Sequence, residues 1–303
     1  MKNNRSNMKI IAGSSNPQLA LKLGSALRLE LLDTNLSKFN DGELKIQVHG
    51  LIGKEVLLVQ STSSPVNDHL IELLLLADTA KRAGAEKIIA VIPYFGYSRQ
   101  DRSDYKNGPI SASVVIKMIE AAGITEVITL DLHSSQLEGL FNIPIKNLST
   151  SSIFFPIIQG QANNIIVSPD IGGISRARNY SSLLGTDLAI INKSRDLNSV
   201  CSMSEIIGDV KGKRCIIVDD IIDGADTVCL ATELLLTNGA KSVTAIITHG
   251  VLSGDALAKI QKSVLKHLYI SDSINNSTLA GKISVLPARV ELLIESDMYK
   301  CFN

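Results

Sequence analysis

Residues 217–227 read IVDDIIDGADT. An apolar, β-branched run meets paired acids, turns through Gly224 and Ala225, and enters the apolar stretch TVCLATELLL. That pattern is a strand, a turn and a helix. Open α/β sheets bind ligands at such turns, because free backbone N–H groups and the helix dipole attract anions. Four aspartates at a place suited to anions pose a problem. Paired carboxylates suit a sugar whose adjacent hydroxyls each donate a hydrogen bond. The small Gly224–Ala225 step lets amides approach a phosphate, with Thr227 at the helix start. The bland alternative is an acidic helix N-terminus, where Asp contributes about 0.5–2 kcal/mol. The turn alone does not choose between them.

Outward from this stretch the scheme repeats. MKIIAGSS, EVLLVQST, KIIAVIPYF and EVITLDLH alternate with helical patterns over Pro17–Arg28, His69–Ala83 and Ser111–Ala122. NIIVSPD, DLAIINKS, KRCIIVDD and KSVTAIITHG follow, with a helix expected over Thr227–Asn238. Continuous apolar strands alternating with helices predict an α/β protein with mainly parallel sheets covered on both faces. IPYFGYSRQDR (92–102) looks like SPDIGGISRAR (168–178), and VITLDLH (127–133) looks like CIIVDDIID (215–223). The expectation is two tandem domains related by a pseudo-twofold, at 8–148 and 149–303, with the last helix able to pack back on the first domain.

The 303 residues are 45% hydrophobic with no Trp, and the 30 basic residues equal the 30 acidic ones. This balance fits a folded, soluble chain without the basic field of a nucleic-acid binder. No segment has the length of a membrane span and no signal peptide is evident, so a tail over 1–7 and a cytoplasmic location are expected. The four cysteines lack CxxC spacing. Cys215 and Cys229 lie in apolar runs and read as core thiols of a reducing compartment. There is no P-loop, GxSxG, HExxH or zinc-ligand spacing.

Segments of several kinds remain, in order along the chain: FNDGE (39–43), QSTSSPVNDHLIELLLLADTAKRAGA (60–85), VIPYFGYSRQDR (91–102), LDLHSSQ (130–136), VSPDIGG (167–173), INKSR (191–195), VDDIIDGADT (218–227) and THGVLSG (248–254). Together they resemble the ribose-phosphate pyrophosphokinase family, which has a type I phosphoribosyltransferase-like fold. The resemblance runs over nearly the whole chain from Met8. It implies transfer of the diphosphate of Mg-ATP to the 1-hydroxyl of ribose 5-phosphate, giving PRPP and AMP.

The resemblance also implies roles. Phe39, Asp41, Gly42 and Glu43 would serve ATP in an adjacent subunit of a homo-oligomer, and Arg99, Gln100 and Asp101 would contact ATP. His133 and Asp170 would be associated with Mg²⁺. Lys193 and Arg195 would be the catalytic cations, on the loop after a strand, followed by a mobile lid. Asp219, Asp220 and Asp223 would meet the ribose, with Arg195 beside them and Gly224, Ala225, Asp226 and Thr227 around the 5-phosphate. Each has a bland alternative: FNDGE as a tight hairpin turn, His133 as a structural histidine, the Lys-x-Arg as solvated cations.

One departure stands out. The family's loop usually reads DTAGT, whereas here it reads Asp223-Gly224-Ala225-Asp226-Thr227. Two unit charges at 4 Å repel by about 1 kcal/mol in water and about 4 at an effective dielectric of 20. Asp226 therefore turns outward, is offset by a cation, or weakens sugar-phosphate binding. The last case would make the chain a catalytically weak homologue with a regulatory or structural role.

Overall fold

The computed structural model describes residues 8–103, 106–160, 162–195, 201–288 and 290, without the side chains of 193–195 and 201–204. They form two compact units, 8–149 with 273–275, and 150–272 with 276–288. The expectation for a last helix falls on 291–303, outside the described residues.

In the first unit, β1 (Met8–Ala12), α1 (Pro17–Leu27) and β2 (Glu30–Leu31) lead to a hairpin, β3 (Thr34–Lys38) and β4 (Leu44–Val48). Then come β5 (Glu55–Val59), α2 (Val66–Arg82), β6 (Lys87–Ile92), α3 (Ser111–Ala121), β7 (Glu126–Leu130) and β8 (Ile145–Leu148). The six-stranded sheet has the order β2-β1-β5-β6-β7-β8, and every pairing is parallel. Helix α2 begins at Val66, directly after Pro65 and three residues before the His69 start expected from periodicity.

The second unit holds α4 (Ser151–Ile158), β9 (Asn164–Ser168), α5 (Ile174–Leu184), β10 (Leu188–Arg195), β11 (Cys201–Ile207), β12 (Arg214–Ile222), α6 (Asp226–Thr237), β13 (Ser242–Gly250), α7 (Ala256–Lys262), β14 (His267–Ser271) and β15 (Ile283–Leu286). Its sheet runs β11-β10-β9-β12-β13-β14-β15, with only β10–β11 antiparallel. Successive strand residues face opposite sides. Ile165, Val167, Ile217 and Ile247 therefore join a core with Val228 and Leu235 of α6. Ile166, Ile216, Val218 and Ile246 join another with Phe154 of α4 and Tyr180 of α5. Cys215 lies in the first core, where burial pushes its thiol up to about 11, and Cys229 packs against it half-buried. Both are core thiols, as their apolar runs suggest.

The two sheets share one winding order, with β1, β2, β5, β6, β7 and β8 corresponding to β9, β10, β12, β13, β14 and β15. This corrects the internal repeat. SPDIGG follows the first strand of its unit and pairs with AGSSN after β1, not with IPYFG after β6. Likewise the acidic turn after β12 corresponds to QSTSSP after β5. Turns bearing Pro and Gly follow many strands in such folds, so local likeness placed the repeat two strands out of register in the sheet.

Loops at the C-terminal ends of β5 and β6 are locked together. Gly96 N–H donates to Thr62 Oγ1 at 2.6 Å, and Thr62 N–H donates to the Tyr94 carbonyl at 3.0 Å. A Cβ on Gly96 would sit 2.4 Å from the Thr62 carbonyl oxygen, which is backbone and cannot swing aside. Gly96→Ala is expected to lower stability by about 1–3 kcal/mol, the usual cost of overpacking. Urea denaturation of the two proteins measures it, and an unchanged midpoint would contradict the close approach.

Candidate active site

In the second unit the expected acids gather where β9 and β12 end. Strand β12 runs to Ile222, so Asp219 and Asp220 are strand residues rather than turn residues. Both carboxylates meet one guanidinium: Arg176 Nη1 lies 3.3 Å from Asp219 Oδ1 and 3.0 Å from Asp220 Oδ1. Arg176 comes from the first turn of α5 and was not among the residues singled out from sequence. Its signal was the basic pair in SRAR after the SPDIGG turn, which reads as a solvated helix face until β12 is placed beside α5.

Asp170 sits in the turn before α5. Its Oδ1 accepts from Gly173 N–H at 3.0 Å, and Ser168 Oγ donates to the Asp170 carbonyl at 2.7 Å. Part of its role is therefore to shape the turn that delivers Arg176. Two acids share one cation in a partly dry place, with the Asp170 charge near them. Burial, then the Asp220 charge, pushes the Asp219 carboxyl up to about 8; Arg176 opposes this and Asp170 adds to it.

Beyond the strand, Asp223 accepts from the Ser253 hydroxyl. Val251 and Leu252 N–H groups donate to the Ile222 carbonyl at 2.9 and 3.1 Å. These bonds tie the acidic turn to the THGVLSG turn. Ala225, in the left-handed region at φ 67°, caps α6, and Asp226 and Thr227 form its first turn. Asp226 meets a cation: Lys259 Nζ of α7 lies 2.7 Å from its Oδ1.

Lys193 and Arg195 lie on a strand, not on the loop expected after one. β10 pairs with β9 only over Leu188–Ile190, and beyond that it pairs with β11 alone. The backbone of both residues thus belongs to a two-stranded arm. The expected lid splits in two: 196–200 lie outside the described residues, and Cys201–Ile207 is strand.

In the first unit, FNDGE is the turn of the β3–β4 hairpin. Phe39 N–H donates to the Glu43 carbonyl at 2.8 Å, Gly42 takes φ 95°, and Asp41 Oδ1 accepts from Glu43 N–H at 3.1 Å. The hairpin alternative is real, and the turn also displays Phe39, 52% exposed, with Lys45 Nζ 5.6 Å from its ring centre. Arg99 and Gln100 are exposed in the turn after β6, with Asp101 half-buried beside them, and Gln100 Oε1 accepts from Ser111 Oγ at the start of α3. His133 is exposed just past β7, the neighbour of β6. Among the described residues, no three His, Cys, Asp or Glu side chains are grouped to hold a metal, and no helix is long and apolar enough to cross a membrane.

The chain is similar to known proteins over most of its length. Residues 8–123 match the N-terminal domain of ribose phosphate pyrophosphokinase, and 200–288 match the phosphoribosyl synthetase-associated domain. A ribose-phosphate pyrophosphokinase of Helicobacter hepaticus is 43% identical over 281 residues, covering 92% of this chain and 91% of that one. The chain belongs to the ribose-phosphate pyrophosphokinase family. An Agrobacterium fabrum ribose-phosphate pyrophosphokinase is 46% identical over 89% of each chain. The crystal structure of phosphoribosylpyrophosphate synthetase from Mycobacterium smegmatis superposes with a TM-score of 0.89 at 29% identity, covering 98% of this chain and 99% of that one. The family's α/β fold with parallel sheets flanked by helices thus spans both units, and the protein is a transferase of this family.

The acid cluster gives a pH signature. The folded protein keeps the Asp219 proton where the unfolded chain has lost it, so stability falls as pH rises from the ordinary carboxylate range toward about 8. Asp219→Asn is expected to shrink the fall in melting temperature of the ligand-free protein between those limits. Parallel curves for the two proteins would contradict the cluster.

Proposed function

We propose that the protein transfers the β,γ-diphosphate of ATP to the 1-hydroxyl of ribose 5-phosphate, releasing AMP. The observation that carries this is 43–46% identity to such relatives over about nine-tenths of the chain. In the reaction the sugar 1-oxygen bonds to the β-phosphorus, the bridge to the α-phosphate breaks, and the hydroxyl proton is lost.

Ribose 5-phosphate is taken by the second unit. Asp219, Asp220 and Asp223 accept from ribose hydroxyls, which suits Asp219 and Asp220, two acids already crowded around one guanidinium. The amides of 224–227 receive the 5-phosphate at the N-terminus of α6. Arg99, Gln100 and Asp101 receive ATP, and Phe39, Asp41, Gly42 and Glu43 serve the ATP of a neighbouring subunit in a homo-oligomer. The exposed Phe39 at a hairpin tip supports this, because a large apolar ring in water gains by packing on an adenine. A metabolic role in the cytoplasm fits these substrates.

The residues fit a magnesium ion held mainly by substrate oxygens. Mg²⁺ commonly takes one or two carboxylates, several waters and phosphates. Asp170 stands near Asp219 and Asp220, and its charge adds to the burial and the Asp220 charge that raise the Asp219 carboxyl. Asp170 and His133 are the residues proposed to approach it. When bound, magnesium would offset charge on the phosphate oxygens.

The weak-homologue reading draws on Asp226 alone. Pairing of that carboxylate with Lys259 favours the active enzyme.

Lys193 and Arg195 supply positive charge to the transferring group, which in-line phosphoryl chemistry needs more than covalent help. Lys193→Ala and Arg195→Ala are each expected to lower turnover at least about tenfold, a loss of about 1.4 kcal/mol. AMP and PRPP formation from Mg-ATP and ribose 5-phosphate measures this. Wild-type turnover in the variants would remove these roles, and no product from the wild type would remove the function.

A further inference from the structure

Asp226 brings a carboxylate to the first turn of α6, the turn read above as the seat of a phosphate dianion. Lys259 Nζ donates to both of its oxygens, to Oδ1 at 2.7 Å and Oδ2 at 3.0 Å. Lys259 belongs to α7, and Asp255, one turn before it, lies 3.2 Å from the same nitrogen. The hydrogen bond from Lys259 to Asp226, then that to Asp255, raises the Lys259 pKa further, so the cation persists at any working pH.

Space at the turn is shared as well. Asp226 Oδ2 lies 3.3 Å from where a Cβ on Gly224 would stand. A β-branched side chain at 224 would press on the carboxylate. The missing side chain at 224 and the added one at 226 therefore use one volume, and the two sequence features belong together.

We propose that Lys259 is a positioning residue for sugar-phosphate binding: it clamps the Asp226 carboxylate in the space left by Gly224 and neutralises it beside the phosphate-binding amides. This rests on the reading of residues 223–227 as the phosphate loop. Side chains of the pair are 34% and 67% exposed, so the contact adds little to folding stability. Its effect falls on the ligand. Released from Lys259, the carboxylate would repel a dianion and compete for the same N-terminal amides, since Asp is itself a favoured partner there. Lys259 touches no reacting atom, so the effect belongs in the KM for the sugar phosphate and not in turnover.

The test is steady-state kinetics at two salt concentrations with Lys259→Ala, Lys259→Arg, Asp226→Gly and the Lys259→Ala/Asp226→Gly double variant. Lys259→Ala is expected to raise the KM for ribose 5-phosphate at least about fivefold, less at high salt, with kcat and the KM for ATP within twofold. Lys259→Arg should behave as wild type, and Lys259→Ala should be silent once Asp226 is Gly. Gly224→Thr should raise the same KM when Asp226 is present and not when it is Gly. An unchanged KM in Lys259→Ala, or a rise that persists in the double variant, overturns the clamp. Thr227→Ala separates the two claims. A raised KM there with none in Lys259→Ala leaves the phosphate loop standing and the clamp refuted. No change in either variant refutes the loop itself.

Discussion

Parallel pairing is the constraint on which the rest depends. A strand can lie parallel to its predecessor only after a crossover over one face of the sheet, and the covering helices bury both faces. In the second unit this gives two cores on either side of one sheet, with Ile217 and Ile247 facing one and Ile216 and Ile246 the other. Polar chemistry is left the strand ends. Each crossover begins at the C-terminal end of a strand, so the turns after β9, β12 and β13 emerge on one edge. Asp170, Arg176, Asp219, Asp220 and Asp223 meet there though more than fifty positions separate the first from the last. Among them Arg176 matters most locally. It joins the start of α5 to the end of β12 and is the cation that offsets two adjacent acids.

The same winding serves the two units differently. In the first, the turn after β5 is filled by its own side chains. Glu72, 3% exposed, accepts from Ser14 N–H at 2.6 Å, Ser14 Oγ at 2.7 Å and Gln60 Nε2 at 2.8 Å. Gln60 Oε1 accepts from Ser15 Oγ at 2.6 Å, and a Cβ on Gly13 would lie 2.3 Å from that oxygen. The turn after β1 is thus closed against α2 by a satisfied polar network. In the second unit the corresponding turns carry more acids than cations, and the charge is left for a ligand to complete. Each unit also sends out a hairpin, β3–β4 after the second strand in one and the extension of the second strand, β10, with β11 in the other. One bears Phe39 at its tip, and the other carries the backbone of Lys193 and Arg195.

The pH behaviour of the acid cluster follows from position rather than composition. Asp219 is one of many aspartates in a chain of zero formal charge. Its carboxyl is raised because β12 carries it into the sheet end beside Asp220, with Arg176 answering only part of the charge. Asp226, one helix turn beyond the strand, stays exposed and is paired with Lys259. Two acids seven positions apart therefore differ in burial, partner and consequence.

Fold class and family are legible in the order of residues alone. Short apolar runs, broken by Gly- and Pro-bearing turns, demand strands covered on both faces, and the ordered motifs from FNDGE to THGVLSG are specific as a set. The sequence also located the acidic turn, because strand, turn and helix are local events set by periodicity and capping. Tertiary structure alone decided which turns correspond between units, since local likeness had matched IPYFG to SPDIGG. It extended β12 through Asp219 and Asp220, because pairing with β13 continues to Ile222. It brought in Arg176 and Lys259, whose sequence contexts read as ordinary solvated helix faces. Those two cations lie 43 and 33 positions from the acids they meet, at Asp219 and Asp226. No periodicity reports a contact at that range; only the crossover path of the chain sets which charges end side by side.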